Sequence, residues 1–223
     1  MGVHRAARPR PAEPSRALPP RPAGAGATGG GDLGPRELRG VFGRFATGVT
    51  VVTAGRDEPR GMTANSFTSV SLTPPQILVC VLRDASMHRV ILEHHAFGVS
   101  VLSERQERLA RHFADSRRPR GAQEFATVDV TQGPCTGVPV LGGSLAWFEC
   151  GLAAVYDGGD HSIFLGDVLH LGHGPDEDAL LFYAGAFRRL EGHADRRGHL
   201  PPTASGSPEQ RTHGEDHTGS PLL

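Results

Sequence analysis

GMTANSFTSVSLTPP, residues Gly61 to Pro75, is the stretch on which the fold turns. Short hydroxyl and amide side chains (Thr63, Asn65, Ser66, Thr68, Ser69, Ser71) are set between Met62, Ala64, Phe67, Val70 and Leu72. From Phe67 to Leu72 the pattern nearly alternates, as a strand with one wet and one dry face does. Pro74 and Pro75 end it, because neither can donate to a sheet ladder. A row of hydroxyls and free backbone N–H groups can cradle a phosphate or the edge of a polar ring without bringing a charge. The alternative is a polar edge strand whose Ser and Thr merely suit β structure.

Upstream, Pro35 is a good first helical residue, and Leu38, Val41, Phe42 and Phe45 follow at helical spacing. The spacing predicts a helix over Pro35 to Ala46. Val49 to Thr53 is strand-like, and the turn at Arg56 to Arg60 lets it pair with the opening stretch as a hairpin. Downstream, Gln76 to Leu82 is a continuous apolar run that reads as a buried strand. Asp84 to His95 is a helix with Met87, Val90 and Ile91 facing inward. Ala96 to Leu102 is a strand, and Glu104 to Ala114 a helix with Leu109 and Phe113 on its apolar side.

Asp115 to Gly137 is polar and irregular, a long loop with one short strand at Thr127 to Thr131. Such loops often serve as lids or subunit contacts. Ser144 to Tyr156 and Ser162 to Leu171 are long strands around Asp157-Gly158-Gly159-Asp160-His161, a hairpin signal. Leu180 to Tyr183 and Phe187 to Leu190 complete the domain. Strands joined mostly by short turns argue for a mainly β protein, a β-barrel with a few peripheral helices.

Residues 1–34 and 191–223 have few large apolar side chains and are read as disordered tails around a domain at 35–190. Within the first tail, Gly24-Ala25-Gly26-Ala27-Thr28-Gly29 spells the dinucleotide fingerprint, but no strand precedes it, so it is excluded. The 23 basic and 24 acidic residues nearly cancel, which gives no field for nucleic acid or a membrane surface. No apolar run approaches the ~20 residues of a membrane span. The three cysteines, Cys80, Cys135 and Cys150, are widely spaced. They fit a reducing cytoplasm rather than a disulfide framework, and Cys80 and Cys150 sit in apolar strands as packing thiols. The histidines have no metal-ligand spacing. Ser144 lacks a nucleophile elbow, since Ala146 replaces its second glycine. The arginines of Arg105 to Arg120 read as a solvated face, of which one or two could meet a diphosphate.

Five segments together carry a resemblance: FGRFATGVTVVT (Phe42 to Thr53), the opening stretch, FGVSVLSERQERLARHFA (Phe97 to Ala114), FECGLAAVYDGGDHSIFLGDV (Phe148 to Val168) and LLFYAGAFRRL (Leu180 to Leu190). In order and spacing they resemble the flavin reductase family, the short-chain NAD(P)H:flavin oxidoreductases with an FMN-binding split β-barrel of Greek-key-like topology. The resemblance implies a homodimer that transfers a hydride from NADH or NADPH to FMN or FAD. Many such proteins hand the reduced flavin to a separate monooxygenase.

By position, it implies that Thr63, Ala64, Asn65 and Ser66 contact the flavin ring and ribityl chain, with Ser69 on the same segment. Cys80, Val81 and Ser86 fall where the ring is lined and phosphate held, and Phe113 beside the flavin. Gly159, Asp160 and His161 match a Gly-Asp-His associated with nicotinamide binding, and Tyr183 and Arg188 lie near the flavin end of the last strand. His161 is the candidate catalytic residue, read as orienting the nicotinamide rather than donating a proton; otherwise it is a surface turn histidine. The family's Ser-x-Thr is here Ser86-Met87-His88, and its usual Asn is Ser100. Two rival readings keep the fold: a flavoprotein that retains its flavin and oxidises its own substrate, and a non-catalytic flavin- or haem-binding split barrel.

Overall fold

In chain order, the computed structural model, which describes residues 33–190, begins with α1 (Pro35–Phe42). Five strands follow: β1 (Thr47–Gly48), β2 (Thr50–Ala54), β3 (Arg60–Ala64), β4 (Thr68–Leu72) and β5 (Pro75–Leu82). Then come α2 (Ser86–His94), β6 (Ala96–Val101), α3 (Glu107–Ala114), β7 (Val130–Gln132), β8 (Pro139–Leu141), β9 (Ala146–Gly158), β10 (His161–His173), β11 (Leu181–Tyr183) and β12 (Ala186–Arg188). The expected tails at 1–34 and 191–223 lie, apart from residues 33 and 34, outside the described residues.

Seven strands form one antiparallel sheet in the order β3-β2-β6-β9-β10-β5-β4. Laid flat, a sheet of this many strands would hold its outermost members roughly 29 Å apart. Here β3 and β4 are joined by only Asn65, Ser66 and Phe67, which span at most about 14 Å. The sheet must therefore curl until its edges nearly meet. Among the described residues no strand ladder closes the seam. Instead the Ser66 hydroxyl accepts the Cys80 N–H (3.0 Å) and donates to the Cys80 carbonyl (3.2 Å), standing in for a missing strand. The result is a split barrel.

The opening stretch is thus two strands, not one. Its first part pairs with β2 as the hairpin predicts, with Val51 opposite Thr63. Its second part, β4, is the sheet edge and is exposed at nearly every position instead of having one dry face. The strand after it, β5, buries Ile77, Val79 and Val81 on one side only, so its continuous apolar run overstates its burial.

Two cores flank β2, which is buried at every residue. Inside the barrel, Val52, Ala54, Val79, Val81, Phe97, Val99 and Phe164 pack with Met87, Val90 and Ile91 of α2. Outside it, Val49, Val51, Leu102, Ala110, Phe113, Phe125, Leu141 and Leu180 bind α3 and the loop after it to the wall. That loop is more ordered than its sequence suggests. It contains a short 3-10 helix, Gly121–Phe125, which buries Glu124 and Phe125, and its strand falls at Val130–Gln132. The short strand β8, which pairs with it, was not expected. The apolar stripe of α1 meets no core: Val41, Phe42 and Phe45 are 64%, 70% and 78% exposed.

Candidate active site

A cleft of about 800 Å³ opens where β3, the β5–α2 turn, the end of α3 and residues 116–120 meet. The local sequence explains each wall. Glycine at 61 lets the Phe113 ring lie flat against β3, since a Cβ there would sit 2.4 Å from the ring. Thr63 turns its hydroxyl onto the Ala110 carbonyl of α3 at 2.6 Å. Ser86 opens α2, whose first turn carries no acidic side chain. The free N–H groups of such a helix start favour an anion.

The electrostatics of the cleft are one-sided. Arg60, Arg83, Arg89, Arg118 and Arg120 line it, against Asp84 as the single lining acid. Two of these arginines are held by a carboxylate beneath them. Glu124, fully buried, accepts from Arg118 Nε, from Arg60 Nη1 (3.4 Å) and from the Gly61 N–H (3.2 Å). Arg118 also donates to the Gly61 and Asp115 carbonyls. A buried carboxylate without such partners would be costly, and here it fixes two cations at the rim. The donor set suits a nucleotide bearing one or more phosphates.

A smaller cavity of about 290 Å³ lies beyond β3, lined by Phe45, Ala46, Thr47, Gly48, Thr50, Asn65, Phe67 and Val101. Its walls are mostly apolar, and the buried Thr47 Oγ1, which has no hydrogen-bond partner among the described residues, belongs to a residue on its lining.

The hairpin between β9 and β10 carries Gly159 at φ 80°, a conformation glycine takes without a Cβ penalty. Beside it, His161 Nδ1 lies 2.7 Å from Asp160 Oδ1. That hydrogen bond, before any other influence, holds the Asp160 carboxyl below the usual carboxylate range. With Nδ1 engaged, Nε2 is the ring nitrogen left for a ligand.

The structure gathers some of the predicted residues and separates others. Thr63, Ser86 and Phe113 line the cleft, Phe113 as a buried floor. Asn65 faces the smaller cavity, while Ala64 is buried in the barrel core. The Val81 side chain is also in that core, so only its backbone can face a ligand. The Ser66 hydroxyl both donates to and accepts from the Cys80 backbone. Ser66→Ala should therefore lower stability by about 1 kcal/mol, the scale of leaving partly buried polar groups unpaired. Urea unfolding would measure this, and an unshifted midpoint would show that the seam does not depend on the hydroxyl.

Ser69 is exposed on the edge strand, and Cys80 is half-buried in β5. Burial raises the Cys80 thiol and pushes Cys150 up to about 12, so both stay protonated packing groups. Tyr183 and Arg188 sit on the separate β1-β11-β12 sheet and line neither cavity. Sequence reasoning missed Arg60, Arg83, Arg89 and Glu124. Arg118 and Arg120 lay in the run read as a solvated face. The one available signal was Glu124 beside Phe125, an acid next to an aromatic within a polar loop.

Residues 42–191 match the model of the flavin reductase like domain. An NADH-dependent FAD reductase from Streptomyces globisporus is 53% identical over 159 residues, covering 71% of this chain and 87% of that protein. The reductase subunit HsaB of a flavin-dependent monooxygenase from Rhodococcus jostii (strain RHA1) is 39% identical, covering 75% of this chain and 84% of its own. The crystal structure of BorF, the flavin reductase component of a bacterial two-component tryptophan halogenase, superposes with a TM-score of 0.68. It is 52% identical and covers 71% of this chain and 99% of that one.

Proposed function

We infer the activity from one premise: this chain belongs to the flavin reductase-like domain family. It is an NADH-dependent flavin reductase, the reductase component of a two-component flavin-dependent monooxygenase system. The observation that carries the reading is the cleft, large enough for a nucleotide and walled by five arginines. When bound, the flavin accepts two electrons from NADH as a hydride, chemistry that belongs to the cofactors.

The chain supplies binding and orientation. The arginine wall and the start of α2 draw in the phosphates, whether of FMN or of FAD. Met62, only partly buried, offers an apolar surface to a ring in the cleft. Asp160 accepts the His161 Nδ1–H, which in the neutral ring leaves Nε2 to accept an N–H of the nicotinamide amide. Hydride transfer itself asks no proton of the protein.

The reading extends to a homodimer. The exposed stripe of α1, together with exposed Leu72, Leu169 and Leu171, supports it, because apolar surface on this scale marks an interaction face. Light scattering should report twice the chain mass at micromolar concentration, and a monomer would remove the idea. The reading extends to a cytoplasmic location, which the unpaired cysteines support, and to residues 35–190 as the functional domain, which the family match over residues 42–191 supports. Among the described residues no helix is long and apolar enough to cross a membrane.

The decisive experiment is NADH oxidation followed with added FAD or FMN and no partner enzyme. Turnover that needs added flavin, from a protein that loses its yellow colour on dilution, supports a reductase that releases its flavin. Tightly retained flavin would favour a self-contained flavoprotein, and no turnover would overturn the reading.

A further inference from the structure

The tip of the β9–β10 hairpin is exposed from Asp157 to Asp160, and an exposed tip ordinarily moves. This one is tied down by a single residue from another element. Arg83 follows Leu82, which lies opposite His161 in the β5–β10 ladder. Its backbone N–H donates to the Asp160 carbonyl at 3.1 Å, extending that ladder by one rung. Its guanidinium then wraps the turn: Nε donates to the Gly159 carbonyl at 3.0 Å, and Nη2 to Asp157 Oδ1 at 2.8 Å. Asp157 Oδ1 also accepts the Gly159 N–H at 2.9 Å, which closes a ring of hydrogen bonds through both strands and the turn. Coulombic and hydrogen-bonding contact with Arg83 adds to that N–H in keeping the Asp157 carboxyl below its usual range.

Arg83 also lines the cleft, beside Asp84, Ala85 and Ser86. It is therefore shared by the two parts of the site, the cleft wall and the turn that carries His161. We propose that Arg83 is a positioning residue: it registers the His161 turn against the cleft, and so sets how the nicotinamide meets a flavin seated there. The proposal rests on the flavin reductase reading. A planar fork is needed, since one group must reach a carbonyl and a carboxylate in the same turn. The contacts are half-exposed or more, so their loss should barely touch global stability. Their worth lies in geometry, where small misplacements cost rate.

The test compares full-length wild type with Arg83→Ala, Arg83→Lys and Asp157→Asn. Steady-state NADH oxidation is measured with FAD or FMN, alongside thermal unfolding. Arg83→Ala should raise KM for NADH about five- to twentyfold, with a clearly smaller rise in the flavin constant, since four other arginines remain in the cleft wall, and Tm nearly unchanged. Arg83→Lys should recover part of the loss, because an ammonium can keep one of the two side-chain contacts. Asp157→Asn should fall between Lys and wild type. An unchanged KM for NADH in Arg83→Ala overturns the proposal. So does a parallel rise in both constants with a lowered Tm, which marks a purely structural role. Wild-type protein that oxidises no NADH with either flavin overturns the underlying reading, and this proposal with it.

Discussion

His161→Ala is expected to lower kcat/KM for NADH by one to two orders of magnitude while flavin binding stays at the wild-type level. The expectation follows from geometry. The imidazole sits at the first position of β10, half-exposed, with Nδ1 fixed by Asp160 and Nε2 free. A contact that positions one partner of a bimolecular transfer is worth about 1.4–3 kcal/mol in the transition state. Because flavin is assigned to the cleft, whose lining does not include His161, its constant should not move. A proton-donating role would instead lower kcat and erase one limb of the pH profile. Stopped-flow and steady-state kinetics on the folded variant separate these outcomes, and near-normal NADH kinetics would remove His161 from the mechanism.

Phe113→Ala should cost about 3–5 kcal/mol of stability, the range for emptying a buried aromatic site. Phe113 is almost fully buried, rests on Gly61, and has its ring centroid 5.3 Å from the tilted Phe125 ring and 4.9 Å from the edge-on His112 ring. The neighbours that might collapse into the gap are held by their own bonds, since His112 is tied to the Glu124 carbonyl at 2.8 Å. Against a total of 5–15 kcal/mol, the loss is large and should lower Tm by roughly 10 °C. Urea titration would show a shifted midpoint with unchanged slope. A loss under about 1 kcal/mol would mean that α3 reaches the barrel by other contacts.

What could be read from the sequence was local. Met87, Val90 and Ile91 announce the buried face of α2 through their spacing alone, and the Asp157–His161 turn announces a hairpin. What could not be read depends on pairings between distant segments. Thr63 and Ser69 look like neighbours on one strand, yet they end on opposite edges of the sheet, because alternation does not say which partner a strand takes. Arg60, Arg118 and Glu124 converge only after α3 has packed on β3. The stripe of α1 was visible at helical spacing, but its burial was not, since periodicity marks an apolar face without naming what covers it.

The three-residue link between β3 and β4 also sets a limit on motion. A seam bridged by one serine hydroxyl is the weakest line in the barrel wall, and thermal opening should begin there. Yet the same link is a leash. The two edges can part only as far as Asn65, Ser66 and Phe67 stretch, and any wider gap requires β3 or β4 to give up its own ladder. The wall beside the cleft can therefore breathe by a few ångströms and no more, a hinge with a stop built into its covalent chain.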